Sequence, residues 1–195
     1  MSDKLEQYRA ETAGLDAAAL LGWGLKTFGV DKIALASSLG SEDQVLTDMI
    51  LVENSKARIF TLDTGRQFPE NYEVIQECIN KYGFSYEICF PEPGDIIELI
   101  SVKGPNLFYN SIQDRKACCE VRKMKPLRKK LATVDCWVTG LRRQQSITRT
   151  DFHAVEWDEN FKIYKINPLI EWKEENLWEY ILENGVPYNK LHDIG

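Results

Sequence analysis

The sequence lacks the features that define membrane, secreted and disulfide-rich proteins. No stretch of the 195 residues approaches the roughly 20 consecutive apolar residues that a membrane span requires. The first ten residues are charged and polar, which is unlike a secretory signal. Five cysteines in such a chain do not indicate a disulfide framework, and the two histidines form no metal-ligand pattern. We therefore expect a cytoplasmic protein that does not bind membranes.

Acidic residues outnumber basic ones, and the basic ones are concentrated in one segment. The chain has 24 Lys and Arg against 30 Asp and Glu, a net charge of −6, which argues against a protein that coats nucleic acid. Residues 113–149 nevertheless contain eleven basic and three acidic residues. Such a concentration in an acidic chain favours a binding site for a small anion. The alternative is a solvated basic helix, which is the simpler interpretation for residues 128–130.

Alternating apolar strands and amphipathic helices predict an α/β fold. With 44% hydrophobic and 11% aromatic residues, the chain has enough apolar side chains for a large core. We expect an N-terminal helical segment over residues 1–30 and an α/β domain over residues 31–195. The alternation is typical of a doubly wound, mainly parallel sheet with helices on both faces. The predicted strands are 32–38, 58–62, 86–90, 136–139, 154–157 and 162–166, and the predicted helices are 43–52, 69–81, 95–102, 118–131 and 173–183.

The loop after the first predicted strand suits an anion. It consists of Ser37, Ser38, Leu39, Gly40, Ser41, Glu42 and Asp43. Small side chains let backbone N–H groups approach a ligand, and the N-terminus of the following helix adds positive potential. No Gly-Lys-Ser/Thr is present, so the loop is not a Walker A motif. The alternative is an ordinary strand–helix turn capped by Ser41, with Glu42 and Asp43 complementing the helix dipole.

A second candidate loop follows the second predicted strand. It consists of Leu62, Asp63, Thr64, Gly65 and Arg66. Its extended start can present peptide groups to a base edge, Asp63 can accept a hydrogen bond from a hydroxyl, and Arg66 can hold an anion. Gly65 permits a tight turn. A generic turn after a strand is the simpler alternative.

A third candidate loop, residues 140–149, follows the fourth predicted strand. Its candidate anion-binding residues are Arg142, Arg143, Gln144, Ser146 and Arg149. Guanidinium groups bind phosphate or sulfate bidentately and stay charged. Loops that leave the carboxyl ends of parallel strands meet at one edge of the sheet, so the three loops are expected to converge on one ligand. The alternative is a mobile, solvated basic loop.

Cys118 and Cys119 form the fourth candidate site. Neighbouring side chains cannot point the same way on a helix, so the pair is not a simple zinc corner. At the start of a helix, the two thiols could contact different parts of one iron–sulfur cluster. Arg122 and Lys123 each follow a cysteine by four residues and would stabilise thiolates. The alternative is a pair of reduced, half-buried thiols.

Taken in order, these segments resemble the assimilatory adenylylsulfate (APS) and phosphoadenylylsulfate (PAPS) reductases. The shared motifs are Ser-Ser-Leu-Gly-Ser-Glu-Asp-Gln, Leu-Asp-Thr-Gly-Arg, Cys-Cys-x-x-Arg-Lys-x-x-Pro-Leu and Gly-Leu-Arg-Arg-x-Gln-Ser. The similarity covers nearly all of the chain from about Asp31 onwards. The double cysteine is similar to the branch that carries a [4Fe–4S] cluster and uses APS. The branch that uses PAPS without a cluster lacks that pair.

The resemblance implies the thiol-dependent reduction of APS to sulfite and AMP in sulfate assimilation. It implies the adenine-nucleotide alpha-hydrolase-like fold, with residues 37–43 related to its pyrophosphate-binding loop and residues 62–66 beside the adenosine. The arginine-rich loop would surround the phosphosulfate. Cys118 and Cys119 would be two of the four ligands of a [4Fe–4S] cluster, with Lys123 beside it. Thioredoxin or a similar dithiol would be the donor, and the enzyme would be a homo-oligomer.

In one respect the sequence departs from these reductases. Their second pair of cluster ligands and the nucleophilic cysteine of a C-terminal Glu-Cys-Gly-Leu-His segment would lie beyond Gly195. The sequence also stops without a polar tail or a stop signal. We therefore expect a reductase domain truncated at its C-terminus, which binds nucleotide but contains no catalytic cysteine.

Three alternatives stay open at this point. A PAPS reductase is one, because no residue is an unambiguous reader of a 3′-phosphate. An ATP pyrophosphatase of the same fold is another, although its Ser-Gly-Gly-x-Asp-Ser loop does not match Ser37-Ser38-Leu39-Gly40. The third is a binding module whose basic segment contacts RNA, although the net charge leads us to expect no nucleic-acid partner.

Overall fold

A six-stranded sheet lies at the centre of the fold. In a computed structural model of the chain, residues 2–145 and 152–194 are described. The strands are β1 (Ile33–Ser37), β2 (Arg58–Leu62), β3 (Glu87–Cys89), β4 (Cys136–Val138), β5 (Val155–Asp158) and β6 (Ile163–Ile166). Their order is β3-β2-β1-β4-β6-β5, with every neighbouring pair parallel except β5 and β6. The prediction of a mainly parallel sheet is confirmed.

Helices connect the strands, and local sequence signals set several of their ends. The helices are α1 (Ser2–Glu11), α2 (Ala17–Phe28), α3 (Ser41–Glu53), α4 (Pro69–Tyr82), α5 (Pro93–Lys103), α6 (Ile112–Cys119), α7 (Lys125–Leu131) and α8 (Glu174–Asn184). Helix α4 begins at Pro69 and is followed by Gly83 at φ +66°, as the sequence predicts. None of the helices in the described ranges is long and apolar enough to cross a bilayer.

Side chains alternate between the two faces of the central strands, and each face has its own hydrophobic core. Ile33 and Leu35 of β1 belong to one core, together with side chains of α2, α3 and α8. Ala34, between them in sequence, belongs to the other core, where it is joined by Phe60 of β2 and Leu131 of α7. Helices therefore cover both faces of the sheet, which is the doubly wound arrangement that the sequence predicted.

The two N-terminal helices share the core of the sheet. Leu20 and Leu21 of α2 are buried in the same cluster as β1. The Tyr8 ring of α1 packs edge-on against Trp23 of α2 and Tyr164 of β6, with ring centroids 5.1 Å apart in both pairs. Such pairs add to the burial of apolar area. The described part of the predicted helical segment thus lies against the sheet as the two helices α1 and α2, and the chain turns between them at Gly14, where φ is +80°.

The predicted helix over residues 118–131 begins earlier and is not a regular α-helix. Helix α6 starts at Ile112, where the Ser111 side chain caps it by accepting the Asp114 N–H. A π-helical turn, Glu120–Met124, then separates α6 from α7. The hypothesis that Cys118 and Cys119 lie at the start of a helix is therefore wrong, because they are the last two residues of α6.

Two leucines of α8 give a matched test of the core. Leu177 is 1% exposed and Leu182 is 73% exposed. We expect Leu177→Ala to lower the free energy of unfolding by about 2–5 kcal/mol, because it removes buried methyl groups and leaves a cavity. Leu182→Ala should change it by less than about 0.5 kcal/mol. Urea unfolding followed by circular dichroism measures both. Equal losses in the two variants would contradict this placement of α8.

Candidate functional site

Three adjoining cavities run along the carboxyl edge of the sheet. The carboxylate cavity, about 480 Å³, is lined by Glu42, Asp43 and Gly140. The central cavity, about 290 Å³, lies beside it, because Ser38 and Trp137 line both. The cysteine cavity, about 520 Å³, follows on the other side, because Thr64, Gln67 and Lys123 line both it and the central cavity. This edge is where ligands bind in open α/β sheets.

A buried carboxylate holds the loop after β1 in place. Asp43 Oδ2 accepts hydrogen bonds from the Ser38 backbone N–H and hydroxyl, each at 2.6 Å. The Ser37 hydroxyl accepts the Leu39 N–H at 3.2 Å, and Leu39 has a φ of +67°, in the left-handed region. The N-cap of α3 is Gly40, without a side-chain cap bond, so the alternative of a turn capped by Ser41 is wrong.

Burial raises the pKa of Asp43 to about 6. The negative charge of Glu42 raises this pKa further, whereas the two hydrogen bonds from Ser38 lower it and offset part of the effect. The Asp43 carboxyl group can therefore gain or lose a proton slightly below neutral pH. It does so at the wall of the carboxylate cavity.

The loop after β4 rests directly on these carboxylates. A Cβ atom added to Gly140 would lie 2.5 Å from Asp43 Oδ1 and 2.8 Å from Glu42 Cβ, so only glycine fits there. Glu42 Oε1 accepts hydrogen bonds from Arg142 Nε at 2.8 Å and from Gln145 Nε2 at 2.6 Å. The loops after β1 and β4, which were predicted to meet at this edge of the sheet, are thus in direct contact.

The predicted anion-binding residues of the third loop have different surroundings. Arg142 is only 6% exposed, and its guanidinium is paired with Glu42. Arg143 pairs with Glu171 and donates to the Phe152 carbonyl at 3.1 Å, and it lines a separate cavity beside the turn between α1 and α2. Gln144 is exposed. The remaining two candidates, Ser146 and Arg149, lie outside the described residues.

In the loop after β2, some residues form a tight turn and others line the cavities. Asp63 is buried, and its carboxylate accepts the Gly65 N–H and the Tyr72 hydroxyl, both at 2.8 Å. Gly65 has a φ of +70°, as expected for a tight turn. Leu62 lines the central cavity and Arg66 lines the cysteine cavity. Asp63 thus holds the turn, and its neighbours face the cavities.

Arg66 is held against the segment that follows α5. Its guanidinium donates to the Pro105 carbonyl at 3.0 Å and to Asn106 Oδ1 at 3.1 Å. It also lies over the Phe108 ring, 4.7 Å from the centroid. Because no carboxylate is among these partners, the charge of Arg66 is not neutralised by them.

The cysteine cavity combines two thiols with uncompensated positive charge. Cys118 is buried, Cys119 is exposed, and both line the cavity. Four cationic residues and no acidic residue line it, namely Arg66, Arg115, Arg122 and Lys123. Positive potential of this kind stabilises thiolates and attracts anions. No group of three or more His, Cys, Asp or Glu side chains suited to a metal ion occurs in the part of the chain that the structure describes.

Ion pairing sorts the basic segment into two groups. Six basic residues of this segment pair with carboxylates, namely Lys125, Arg128, Lys129, Lys130, Arg142 and Arg143. Within the described ranges, four others of residues 113–145 form no ion pair, namely Arg115, Lys116, Arg122 and Lys123. These four flank the two cysteines in sequence. The excess charge that the composition revealed is therefore concentrated beside the thiols.

Arg122 is a candidate functional residue that the sequence analysis did not include among the binding residues. It is 8% exposed, its Nη1 donates to the Thr64 carbonyl at 2.6 Å, and its buried Nε has no hydrogen-bond partner. A buried guanidinium with an unfilled donor is costly unless something binds it. The four-residue spacing from Cys118 predicted that Arg122 lies near the thiols, but no local pattern indicates its contact with Thr64.

Comparisons with known proteins relate this geometry to one enzyme family. A family model described as "Phosphoadenosine phosphosulfate reductase domain" matches residues 32–195. An adenosine 5'-phosphosulfate reductase of Allochromatium vinosum is 46% identical over 166 residues, which are 85% of this chain and 65% of that protein. Across three such relatives, the chain spans 65% or 66% of their length.

Solved structures support the fold. The crystal structure of a phosphoadenylyl-sulfate reductase from Candida auris, in a phosphate complex, superposes with a TM-score of 0.83 at 24% identity, over 100% of this chain and 92% of that one. An NH3-dependent NAD synthetase from Campylobacter jejuni superposes with a TM-score of 0.59 at 8% identity, over 93% of this chain and 74% of that one. The predicted adenine-nucleotide alpha-hydrolase-like fold is confirmed.

The raised pKa of Asp43 predicts a pH dependence of stability. Between its ordinary value of 3.8 and about 6, the folded protein holds a proton on Asp43 that the unfolded chain has released. The free energy of unfolding of the wild type, relative to Asp43→Asn, should therefore fall as the pH rises through this window. The fall should be on the order of 3 kcal/mol.

Urea unfolding at a series of pH values measures this difference. Glu183→Gln, at an exposed position of α8, serves as the control and should leave the wild-type profile unchanged. Parallel curves for the wild type and Asp43→Asn would show that Asp43 does not titrate in this window.

Proposed function

Because the chain belongs to the phosphoadenosine phosphosulfate reductase domain family, we propose that it takes part in the thiol-dependent reduction of adenylylsulfate to sulfite and AMP. Its family membership rests on the match over residues 32–195 and on relatives at up to 46% identity. The preference for APS over PAPS follows the names of the curated relatives, which are adenosine 5'-phosphosulfate reductases.

One observation carries the proposal. The central cavity, at the carboxyl ends of the strands, adjoins a cavity in which unpaired cations surround two cysteines. A nucleotide placed in the central cavity can thus extend its anionic end toward Lys123 and the thiols. Neutralising and orienting the leaving phosphate is the task that such an arrangement suits.

We assign different roles to the predicted binding residues according to their surroundings. Backbone groups of the loops at 37–43 and 62–66 would contact the nucleoside, and Lys123 and Arg122 would meet the phosphosulfate. Arg142 would act through Glu42, with which it is paired, by fixing the loop after β1. Arg143, which faces another cavity, would reach the ligand only after leaving Glu171.

The proposed reduction takes place in successive thiol reactions. A cysteine thiolate attacks the sulfur of APS, the bond from sulfur to the phosphate oxygen breaks, and AMP leaves with that electron pair. One thiolate of a thioredoxin-type dithiol then attacks the Sγ atom of the S-sulfocysteine, so sulfite leaves with the electron pair of the S–S bond and a mixed disulfide forms. The second thiol of the dithiol attacks this mixed disulfide, which regenerates the cysteine thiolate and leaves the dithiol oxidised to a disulfide. The resemblance implies that the attacking thiolate belongs to a cysteine outside residues 1–195. It also implies that the enzyme is a homo-oligomer.

Cys118 and Cys119 are our candidates for two ligands of a [4Fe–4S] cluster. Their thiols and the surrounding cations fit an anionic iron–sulfur group, since positive potential favours the thiolate form. A [4Fe–4S] cluster takes four cysteine ligands, so two would have to come from outside the described residues. When bound, a cluster would supply a fixed charge beside Lys123 that helps to orient the substrate.

Substitution of Lys123 tests the binding site. Lys123→Ala should weaken the binding of APS by about 10- to 150-fold, because a hydrogen bond to a charged group contributes roughly 1.5–3 kcal/mol. Lys129→Ala, which removes a largely exposed lysine paired with Glu92, is the matched control and should bind APS like the wild type. Isothermal titration calorimetry with APS, PAPS and AMP gives the affinities.

The titrations also separate the alternatives. No binding of any of the three nucleotides by the wild type would contradict the proposed function. Tighter binding of PAPS than of APS would indicate that PAPS is the substrate of this protein. Equal losses in Lys123→Ala and Lys129→Ala would remove Lys123 from the site.

Substitution of the cysteines tests the cluster. In the enzyme that carries all four cluster ligands, purified anaerobically, Cys118→Ser and Cys119→Ser should each lower the iron content and the visible absorbance of thiolate-bound iron. Cys89→Ser is the control, because this half-buried cysteine of β3 lies outside the cysteine cavity and should leave both values unchanged. An iron-free wild type of that enzyme that nevertheless reduces APS would refute the ligand role.

A further inference from the structure

A chain of hydrogen-bonded amides runs from the central cavity to the 3₁₀ turn Lys190–Asp193. Gln67 Nε2 donates to the Leu62 carbonyl at 2.9 Å, and Asn71 Nδ2 donates to Gln67 Oε1. Asn189 Nδ2 donates to Asn71 Oδ1 at 2.6 Å, and the Leu191 backbone N–H donates to Asn189 Oδ1 at 2.9 Å. We call these four bonds the amide relay.

The relay has a single direction. Each side-chain amide accepts with its oxygen from the Leu191 side and donates with its nitrogen toward Leu62. Aligned hydrogen bonds of this kind polarise one another, so each bond strengthens the next. Reversal of one amide would oppose two oxygens or two N–H groups at its neighbours. The three side chains are therefore fixed together in one orientation.

The two ends of the relay differ in their access to a ligand. Asn189 is 7% exposed and caps the 3₁₀ turn Lys190–Asp193, far along the chain from the cavities. Gln67, at the other end, lines both the central and the cysteine cavity. The relay uses one N–H and one lone pair of the Gln67 amide, which leaves a second N–H and a second lone pair.

We propose that Gln67 binds the nucleotide and that Asn189 is a positioning residue, which orients Gln67 through the amide relay. This inference rests on the proposed function, since it places the nucleotide in the central cavity. A bound nucleotide that hydrogen-bonds to the free positions of Gln67 polarises the relay and stabilises the turn Lys190–Asp193. Linkage requires the reverse as well, so disruption at Asn189 weakens nucleotide binding at Gln67.

An asparagine-to-aspartate exchange separates this role from simple capping. In Asn189→Asp, the carboxylate can still accept the Leu191 N–H, which preserves the cap, but it cannot donate to Asn71. A carboxylate oxygen of residue 189 would then face Asn71 Oδ1, so two acceptors would oppose each other at this point of the relay. We expect Asn189→Asp to weaken AMP binding about fivefold or more. Asn184→Asp, at an exposed position that ends α8, is the matched control and should bind AMP like the wild type.

A double-mutant cycle gives the decisive measurement. Gln67→Met keeps the size of the side chain and removes its hydrogen bonds. If the relay acts as a unit, the combination of Gln67→Met and Asn189→Asp weakens AMP binding no more than Gln67→Met alone. Calorimetric titrations of the four proteins with AMP measure this. Additive losses, or an unchanged affinity in Asn189→Asp, would overturn the proposal.

A second readout does not need the ligand. In the ligand-free protein, Gln67→Met should speed the hydrogen exchange of the Leu191 amide, measured by NMR, although three successive hydrogen bonds separate Gln67 from Leu191. An unchanged rate would overturn the relay. A wild type that binds no AMP would instead refute the proposed function, and the exchange rate would still decide whether the relay couples the two ends.

Discussion

Removal of two adjacent carboxylates from water, the buried Asp43 and the half-buried Glu42, is the constraint at the carboxyl edge of the sheet on which the site depends. Asp43 closes the loop after β1 on Ser38, and Glu42 draws in the loop after β4 through Arg142. The two loops approach so closely that Gly140 has no room for a side chain. Taking these charges out of water is costly, and only the hydrogen bonds and the guanidinium compensate for it. Contacts within the protein thereby hold the walls of the carboxylate cavity and the central cavity.

The same pairing decides which cations face a ligand. A cation that is already neutralised by a carboxylate helps to shape the site, whereas an unpaired cation adds positive potential to it. Arg142 belongs to the first kind, and Arg122 and Lys123 to the second. The arginine-rich segment after β4, which by composition looked like the main anion receptor, is partly structural. Uncompensated positive charge is instead gathered in the cysteine cavity, beside Cys118 and Cys119.

Local patterns were sufficient to predict the sheet, because hydrophobic periodicity and turn residues are local. The strand over 58–62 and the start of α4 at Pro69 were predicted to the residue. The π-helical turn after Cys119 was missed, since tertiary contacts such as that of Arg122 with Thr64 have no local signature. The pairing of Arg142 with Glu42 spans 100 residues and was equally invisible. Sequence could thus name the candidate residues but not their partners.

The π-helical turn has a geometric consequence for the cysteines. A π-turn contains one residue more than the α-helical path it replaces, and each residue of an α-helix advances the side chains by about 100°. Compared with a continuous α-helix, the inserted residue therefore rotates one face relative to another by about 100°. One is the face of α6 that carries Cys118, and the other is the face of α7 that packs Leu131 under the sheet. Loss of a single residue between 120 and 124 would preserve the packing of α7 and swing both thiols away from the cavity.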